Sequence, residues 1–344
     1  MFSELIKKIH QRNNLTEDES IAVMTEIMDG RAAPAQIAGL LIGLSMKGER
    51  PAEIVGLVKA MRARAVPLSH SFDSVFDTCG TGGDGAQTFN VSSLAALTLA
   101  ACGVRVAKHG NRSVSSKCGS ADLFEALGVN VNASSEVVGN CLRETGIAFC
   151  YAPTFHPSMK HAGQVRRDLG VRTVFNLLGP LTNPAGASRQ VVGVPRPEHT
   201  DLLARALAML GSKRAWVIHS SDGLDEISIS GHTKVAECVS GSVHTFYIHP
   251  SDFGVKTAEL RELRVSGLDE SVAIARDVLA GNHGSARNFV SVNASAGLLI
   301  SGFVESLREG MKHVQRVLDE GLVAKKLEEL VLCSQAKSPG ARPV

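Results

Sequence analysis

Apolar residues recur at three- and four-residue spacing through the first 68 or so positions, and each run carries its own start signal, so the chain opens as consecutive helices. Thr16 with Glu19 forms a capping box ahead of Ile21, Val23, Met24 and Ile27. Gly30 stops that helix, and Pro51 suits the first turn of the helix carrying Ile54, Leu57, Val58 and Met61. Between them Ile37, Leu40, Leu41 and Leu44 make a face expected to pack within the fold rather than on a second subunit. From about residue 73 the pattern changes to short β-like runs (VFDTC, VRVAKHG) followed by Gly-rich turns and helical runs (VSSLAALTLAACG, ADLFEALG). Later QVVGVP, AWVIHS and HTFYIHP alternate with HTDLLARALAMLG and ESVAIARDVLAG. The expected fold is α/β with a small all-helical domain: residues 1–68 helical, and residues 69–344 a large domain built on a mostly parallel sheet covered by helices. There is no internal repeat, and the polar tail beyond Leu332 reads as a frayed end.

Composition narrows the function. The 344 residues allow roughly two domains with a cleft between them. Aromatics at 4% leave little for stacking on bases, and a net charge of +2 gives no broad positive field, so a nucleic-acid partner is disfavoured and any anion must be bound locally. Seven cysteines with no C-x-x-C pair argue against a disulfide framework and a zinc site, and read as thiols in a reducing compartment. No window approaches the ~18 apolar residues of a spanning helix, and the opening MFSELIKKIHQRNN lacks the plan of a signal peptide; a cytoplasmic protein without a membrane partner is expected.

The most informative segment is the turn from Gly80 to Gly85, between a strand and the helix beginning near Val91. It matches G-x-G-x-x-G, but a dinucleotide site also needs an acidic residue about 20 positions on, where this chain has Lys108 and His109. A positive strand end suits phosphate better than a ribose edge. Thr88, Asn90, Ser92 and Ser93 cluster at the start of the following helix, more polar groups than a cap requires, which makes this a phosphate-binding floor. One strand–helix unit later, Lys108, Asn111, Arg112, Ser115 and Ser116 lie in a loop that emerges at the same carboxyl edge of a parallel sheet and so faces the same ligand. Asp225 and Glu226, adjacent carboxylates in SDGLDEISISG, suit Mg²⁺ together with phosphate oxygens, with Ser92 as a further oxygen donor. No Ser-His-Asp, activated cysteine or H-E-x-x-H arrangement is present. His109 and His156 are the two histidines placed near a site. Arg166 is the choice for holding an acidic acceptor bidentately, with Arg167 and Arg172 as close competitors.

Together GTGGDGAQTFNVSS, KHGNRSVSSKCGSAD, YAPTFHPSMK, VRRDLGVRTVFNLLGPLTNPA and DGLDEIS, in this order, resemble the anthranilate phosphoribosyltransferase family over nearly the whole chain. The resemblance implies a small helical and a large α/β domain, as in nucleoside phosphorylases of similar fold, with the active site in the interdomain cleft. It also implies a homodimer formed through the helical domain, and a segment near Leu169 to Ala187 that returns to that domain. The implied reaction moves the 5-phosphoribosyl group of phosphoribosyl pyrophosphate (PRPP) to the amine of anthranilate, giving N-(5-phosphoribosyl)anthranilate and pyrophosphate in tryptophan biosynthesis. It uses Mg²⁺, two ions per site, and no residue as acid or base. Carried over by motif, Gly80, Gly83, Asp84, Thr88, Asn90, Val91, Ser92, Ser93, Lys108, His109, Gly110, Asn111, Arg112, Ser113, Val114, Ser115, Ser116 and Ser120 hold PRPP. Gly80, Asn111, Arg166, His109, His156 and Pro180 meet anthranilate, and Ser92, Asp225 and Glu226 hold the metal. Ser93, Gln164 and Ser220 depart from the family's usual threonine, proline and glycine. A pyrimidine nucleoside phosphorylase of the same fold, which needs no acidic metal pair, and a nucleic-acid-binding relative without transferase activity are the alternatives.

Overall fold

The computed structural model describes residues 2–113 and 118–336. Four helices come first: α1 (Phe2–His10), α2 (Glu17–Met28), α3 (Pro34–Lys47) and α4 (Pro51–Arg62). The capping box of α2 forms as expected: the Glu19 N–H donates to Thr16 Oγ1 at 3.2 Å and the Thr16 N–H to Glu19 Oε2 at 2.7 Å. Prolines open α3 and α4, and Gly30 follows α2 with φ 71°. Ile37, Leu40, Leu41 and Leu44 are buried within the fold. Glu53, fully buried at the start of α4, accepts from the Leu15 and Arg50 N–H groups and pairs with Lys47 at 2.9 Å, tying the α1–α2 loop, the end of α3 and the α3–α4 loop together.

The remainder alternates strands and helices: β1 (Phe76–Asp77), α5 (Val91–Ala101), β2 (Val106–Gly110), α6 (Ser120–Ala126), α7 (Ser135–Thr145), β3 (Ile147–Tyr151), α8 (Ala152–Phe155), α9 (Lys160–Leu169), α10 (Phe175–Leu178), β4 (Arg189–Gly193), α11 (Glu198–Met209), β5 (Arg214–Ser220), β6 (Thr233–Val239) and β7 (Ser242–Ile248). Four helices then close the chain: α12 (Leu268–Leu279), α13 (Ser285–Ser301), α14 (Leu307–Asp319) and α15 (Leu322–Ser334). The seven strands lie in the order β3-β2-β1-β4-β5-β6-β7. The first five are parallel, and β6 and β7 add antiparallel, so HTFYIHP forms an edge strand with alternating exposure rather than a covered one. VFDTC contributes only two ladder residues, because the chain turns away at Thr78, whose hydroxyl donates to the Ser92 carbonyl. At the far end the helix runs two residues past the expected break at Leu332, and residues 337–344 lie outside those described.

Both faces of the sheet are covered. Along β5 Ala215 and Val217 point into the core shared with α1–α4, α9 and α11, while Trp216 and Ile218 point to the core shared with α5, α7, α13, α14 and α15. The helical unit is therefore continuous with one face of the sheet. α9 packs on α2 and α3, and α10 with the 3-10 turn Gly179–Thr182 packs on α4. The approach at Gly30 is close enough that a Cβ there would meet the His161 ring at 2.8 Å.

Candidate active site

Strand order reverses between β1 and β4: β2 and β3 follow on one side of β1, and β4 and β5 on the other. Loops leaving the carboxyl ends of β1 and β4 must therefore diverge and leave a crevice, the usual place for a ligand in a parallel sheet. Here it opens into a cleft of about 690 Å³ lined from the carboxyl ends of β1 and β2, the Asp225 loop, α4, α9 and the Gly179–Thr182 turn.

The glycine turn forms the floor. Gly82, Gly83 and Gly85 all have φ between 63° and 83°, a left-handed backbone that side chains rarely adopt. The Thr81 N–H donates to the Gly193 carbonyl at 2.8 Å, joining the turn to the end of β4. Beyond it, residues 87–89 are strapped to the segment before α12: the Phe89 N–H donates to Leu263 O, the Val265 N–H to Gln87 O, and Thr88 bridges to Arg264. The Asn90 side chain does not cap α5. Its Nδ2 donates to Cys118 O at 3.1 Å, and its Oδ1 accepts from Cys118 Sγ at 2.9 Å and Ser271 Oγ at 3.2 Å. The start of α5 is thus presented to the cleft while Asn90 fixes the loop opposite. Ser92 lines the cleft; Val91 and Ser93 are buried behind it, the Ser93 hydroxyl without a partner among the described residues.

From β2, Lys108 reaches the same floor, 2% exposed, with Nζ 3.4 Å from both Thr78 O and Ser92 Oγ. Gly110, Asn111, Ser113 and Ser120 also line the cleft. Arg112 touches its rim, but its guanidinium is engaged with Asp122 at 2.9 Å and Glu125 at 2.7 Å on α6. Val114, Ser115 and Ser116 lie outside the described residues.

Across the floor sit three carboxylates. Asp225 and Glu226 are half-buried and strongly desolvated at the carboxyl, and Asp84 from the glycine turn is within hydrogen-bonding reach of Asp225. Burial, then the charge of Asp84, pushes the Asp225 carboxyl up to about 7; burial, then Asp225, pushes Glu226 well above its ordinary range, opposed by Lys108 and a hydrogen bond from Ser92. Crowded acids of this kind keep a proton or share a cation. Their all-oxygen donor set, with the Ser92 hydroxyl, fits a hard divalent ion such as Mg²⁺. Among the described residues it is a different group, Asp77, Cys79 and His109, whose ligand atoms all lie within 4.8 Å of one another. Asp77 is already satisfied there by the His109 N–H at 3.1 Å and Asn183 Nδ2 at 2.7 Å, and burial keeps the Cys79 thiol protonated. That group reads as a brace between β1, β2 and the Asn183 turn.

The opposite wall is aromatic and basic. Arg166 on α9 lies over the Phe175 ring at 5.2 Å, and burial alone lowers its pKa; no described carboxylate pairs with it. Its two competitors are otherwise engaged. Arg167 also lines the cleft, but it donates to exposed Gln164 at 2.6 Å, and Gln164 in turn to Asp168. Arg172 lies on the glycine turn, so close that a Cβ on Gly83 would sit 1.7 Å from its Nη1, and it faces Asp225 and Asp84. Between the walls the rings of His109 and His156 are 5.1 Å apart. Burial lowers them to about 3 and about 4, so both are neutral at physiological pH. His109 Nδ1 is 3.1 Å from Gly179 O, and the Nε2 atoms of both rings have no partner among the described residues. Pro180 is held behind them through its carbonyl, which accepts from Gln190 at 2.8 Å.

Sequence reasoning missed Phe175 under Arg166, Asn183 at Asp77 and the lining residue Lys160. The run FNLLGPLTNPA carried a signal for Asn183, an amide between apolar stretches that has to find partners once buried.

Comparisons with known proteins cover both parts of the chain. Residues 73–324 match the glycosyl transferase family, a/b domain, and residues 3–65 the glycosyl transferase family, helical bundle domain. The chain is 48% identical over 331 residues to the anthranilate phosphoribosyltransferase of Moorella thermoacetica, covering 96% of this chain and 98% of that protein. Among solved structures it is similar to the anthranilate phosphoribosyltransferase of Thermus thermophilus, with a TM-score of 0.91, 44% identity, and 96% and 99% of the two chains covered. It is also similar to the Saccharomyces cerevisiae enzyme in complex with PRPP and Mg, with a TM-score of 0.89, 25% identity and 97% of each chain covered. The same yeast enzyme in complex with 4-fluoroanthranilate matches with a TM-score of 0.87, 25% identity and 97% of each chain.

Proposed function

The chain belongs to the anthranilate phosphoribosyltransferase family, and on that basis we propose that its cleft transfers the 5-phosphoribosyl group of PRPP to the amine of anthranilate, releasing pyrophosphate. The observation that carries the assignment of roles is the pairing, across one switch-point cleft, of a crowded acidic group (Asp84, Asp225, Glu226) with an arginine, Arg166, that no described carboxylate neutralises. A polyphosphate with a divalent ion answers the first, and an aromatic acid the second.

In this reading the glycine turn, the start of α5 and Lys108 hold the phosphates, with Thr88, Asn111, Ser113 and Ser120 around them. Ser92, Asp225 and Glu226 hold Mg²⁺, an ion also present with PRPP in the yeast relative. When bound, Mg²⁺ neutralises charge on the departing pyrophosphate. Arg166 takes the anthranilate carboxylate, and Asn111 and Gly80, which line the same cleft, receive the rest of the ring. His109 and His156, neutral at working pH, line the path of the acid without adding a cation that would compete with Arg166 for it. The amine of anthranilate is neutral and nucleophilic, so the wall has only to orient it toward C1 of the ribose. Positioning of this kind supplies a large part of a transferase's rate.

The division into a helical domain of residues 1–68 with a returning segment near 169–187 and an α/β domain of residues 69–344, a second Mg²⁺ per site, a cytoplasmic setting and a homodimer belong to the same proposal. Consumption of anthranilate, followed by its fluorescence with PRPP and with or without Mg²⁺, tests the reading. Metal-dependent loss in the wild type that collapses in an Asp225→Ala/Glu226→Ala variant is expected; a folded wild type that is inactive, or a double variant as active as wild type, would overturn it.

A further inference from the structure

The loop carrying Asp225 and Glu226 leaves β5 at Ser220 and rejoins the sheet at Thr233, and groups outside its own turn fix its backbone. Asn293, 6% exposed on α13, accepts from the Ile227 N–H at 3.0 Å through Oδ1. Its Nδ2 donates to the Ile227 carbonyl at 3.0 Å and to the Phe289 carbonyl of its own helix at 2.9 Å. One planar amide thus spends its acceptor and both donors at this spot. From the other side Ser220 Oγ donates to the Glu226 carbonyl at 2.5 Å, and the Ser228 N–H is shared by Ser220 Oγ and Thr233 Oγ1 at 3.2 Å each. The peptide between Glu226 and Ile227 is therefore held at both ends, its carbonyl by β5 and its N–H by α13. Toward the cleft, Gly193 leaves so little room that a Cβ there would lie 1.5 Å from the Asp225 carbonyl oxygen.

Such a clamp has a task here. Three carboxylates crowded in a desolvated site repel one another, and a loop free to rotate about Glu226 would relieve the repulsion by swinging the side chain away. We propose that Asn293 is a positioning residue for the reaction: acting from α13, with Ser220 at the other end of the same peptide, it holds Glu226 and Asp225 at the spacing a divalent ion requires. This rests on the reading of Asp225 and Glu226 as the metal-holding residues. Asn293 touches no substrate, and its effect is on metal affinity rather than on the intrinsic rate of transfer.

The experiment measures Mn²⁺ binding to the whole enzyme by electron paramagnetic resonance in the presence of pyrophosphate, with thermal melts on the same samples. Asn293→Leu, close in size but without donor or acceptor, is expected to weaken Mn²⁺ binding about 10- to 100-fold, the usual range for loss of a partner behind metal ligands. The Mg²⁺ concentration giving half-maximal rate should rise by the same factor, with kcat at saturating Mg²⁺ largely retained. The control is Ser295→Ala, two residues along the same helix, whose buried hydroxyl donates to Leu307 O at 2.6 Å and faces α14 instead of the loop. It is expected to lower the melting temperature with Mn²⁺ binding unchanged. If Asn293→Leu does not fold, Ser220→Ala decides, with severalfold weaker binding expected. Wild-type Mn²⁺ affinity in both Asn293→Leu and Ser220→Ala, or an equal loss in Ser295→Ala, overturns the clamp and leaves the metal reading standing. A wild type that binds no Mn²⁺ overturns the metal reading, and the clamp with it.

Discussion

Three arginines within seven residues, Arg166, Arg167 and Arg172, carry the same charge and have different work because of what each one touches. Arg167 at the cleft edge donates to exposed Gln164, Arg172 covers the glycine turn and faces Asp84 and Asp225, and Arg166 is left desolvated over Phe175. Charge in a desolvated wall without a counter-ion is what a carboxylate ligand exploits, since the guanidinium has already lost most of its water. Arg166→Ala should therefore raise KM for anthranilate on the order of 100-fold, equivalent to one charge-assisted bidentate contact of about 2–3 kcal/mol. KM for PRPP should hardly change, and Arg166→Lys should recover only part of the loss. Steady-state fluorescence assays over both substrates check this, with Arg167→Ala as a variant expected to match wild type. Gln164, one of the three departures from the family pattern, is exposed and bonds to Arg167 and Asp168.

At the level of elements, function depends on how the ends of strands and helices are finished. The glycine turn works because its residues combine left-handed backbone with closeness to neighbours, and the two requirements separate along the turn. Gly83 has φ 83° and lies under Arg172; Gly85 has φ 72° and open space around it. An alanine at position 85 meets the backbone cost alone, about 1 kcal/mol. Gly83→Ala must also displace the Arg172 guanidinium from the acidic group. It should lower kcat/KM for PRPP by at least about 10-fold more than Gly85→Ala, a gap of about 1.4 kcal/mol, measurable in the same assay. Equal losses in the two variants would mean that Arg172 plays no part. The helical elements matter differently: α9, packed through Gly30 and His161 on the opening helices, carries Arg166 to the far wall of the cleft.

Over the whole molecule, a binding site of this kind is held at the expense of stability. Asp225 has its carboxyl raised to about 7, above the value of about 4 it has when unfolded, so between those two pH values the folded chain binds more protons than the unfolded one. Stability contributed through this group is present at low pH and lost as pH rises toward 7. The buried histidines act in the opposite sense: lowered to about 3 and about 4, they remove stability as pH falls below about 6.5. Comparing Asp225→Asn with wild type in the absence of metal isolates the carboxylate. The two should melt together near pH 4, and the variant should become progressively more stable, by a few kcal/mol at most, as pH rises to 7, with the gap level above that. Saturating Mg²⁺ should narrow the gap at pH 7.5, since only the wild type keeps the full acidic group; scanning calorimetry over this pH range reads both effects. The helix–strand order, the capping box, the glycine turn and the adjacent acidic pair were legible along the chain, because each depends on local spacing, turn chemistry or runs of residue type. Which arginine was free was not legible, nor that Arg112 is engaged by Asp122 and Glu125, that Ser93 is buried behind the floor, or that Asn293 braces a loop 66 residues before it. Those assignments follow from which partners the fold brings within hydrogen-bond range. A side chain's charge belongs to the sequence, but whether that charge is spent on a neighbour or left for a ligand is decided only when strand order and helix packing set its surroundings.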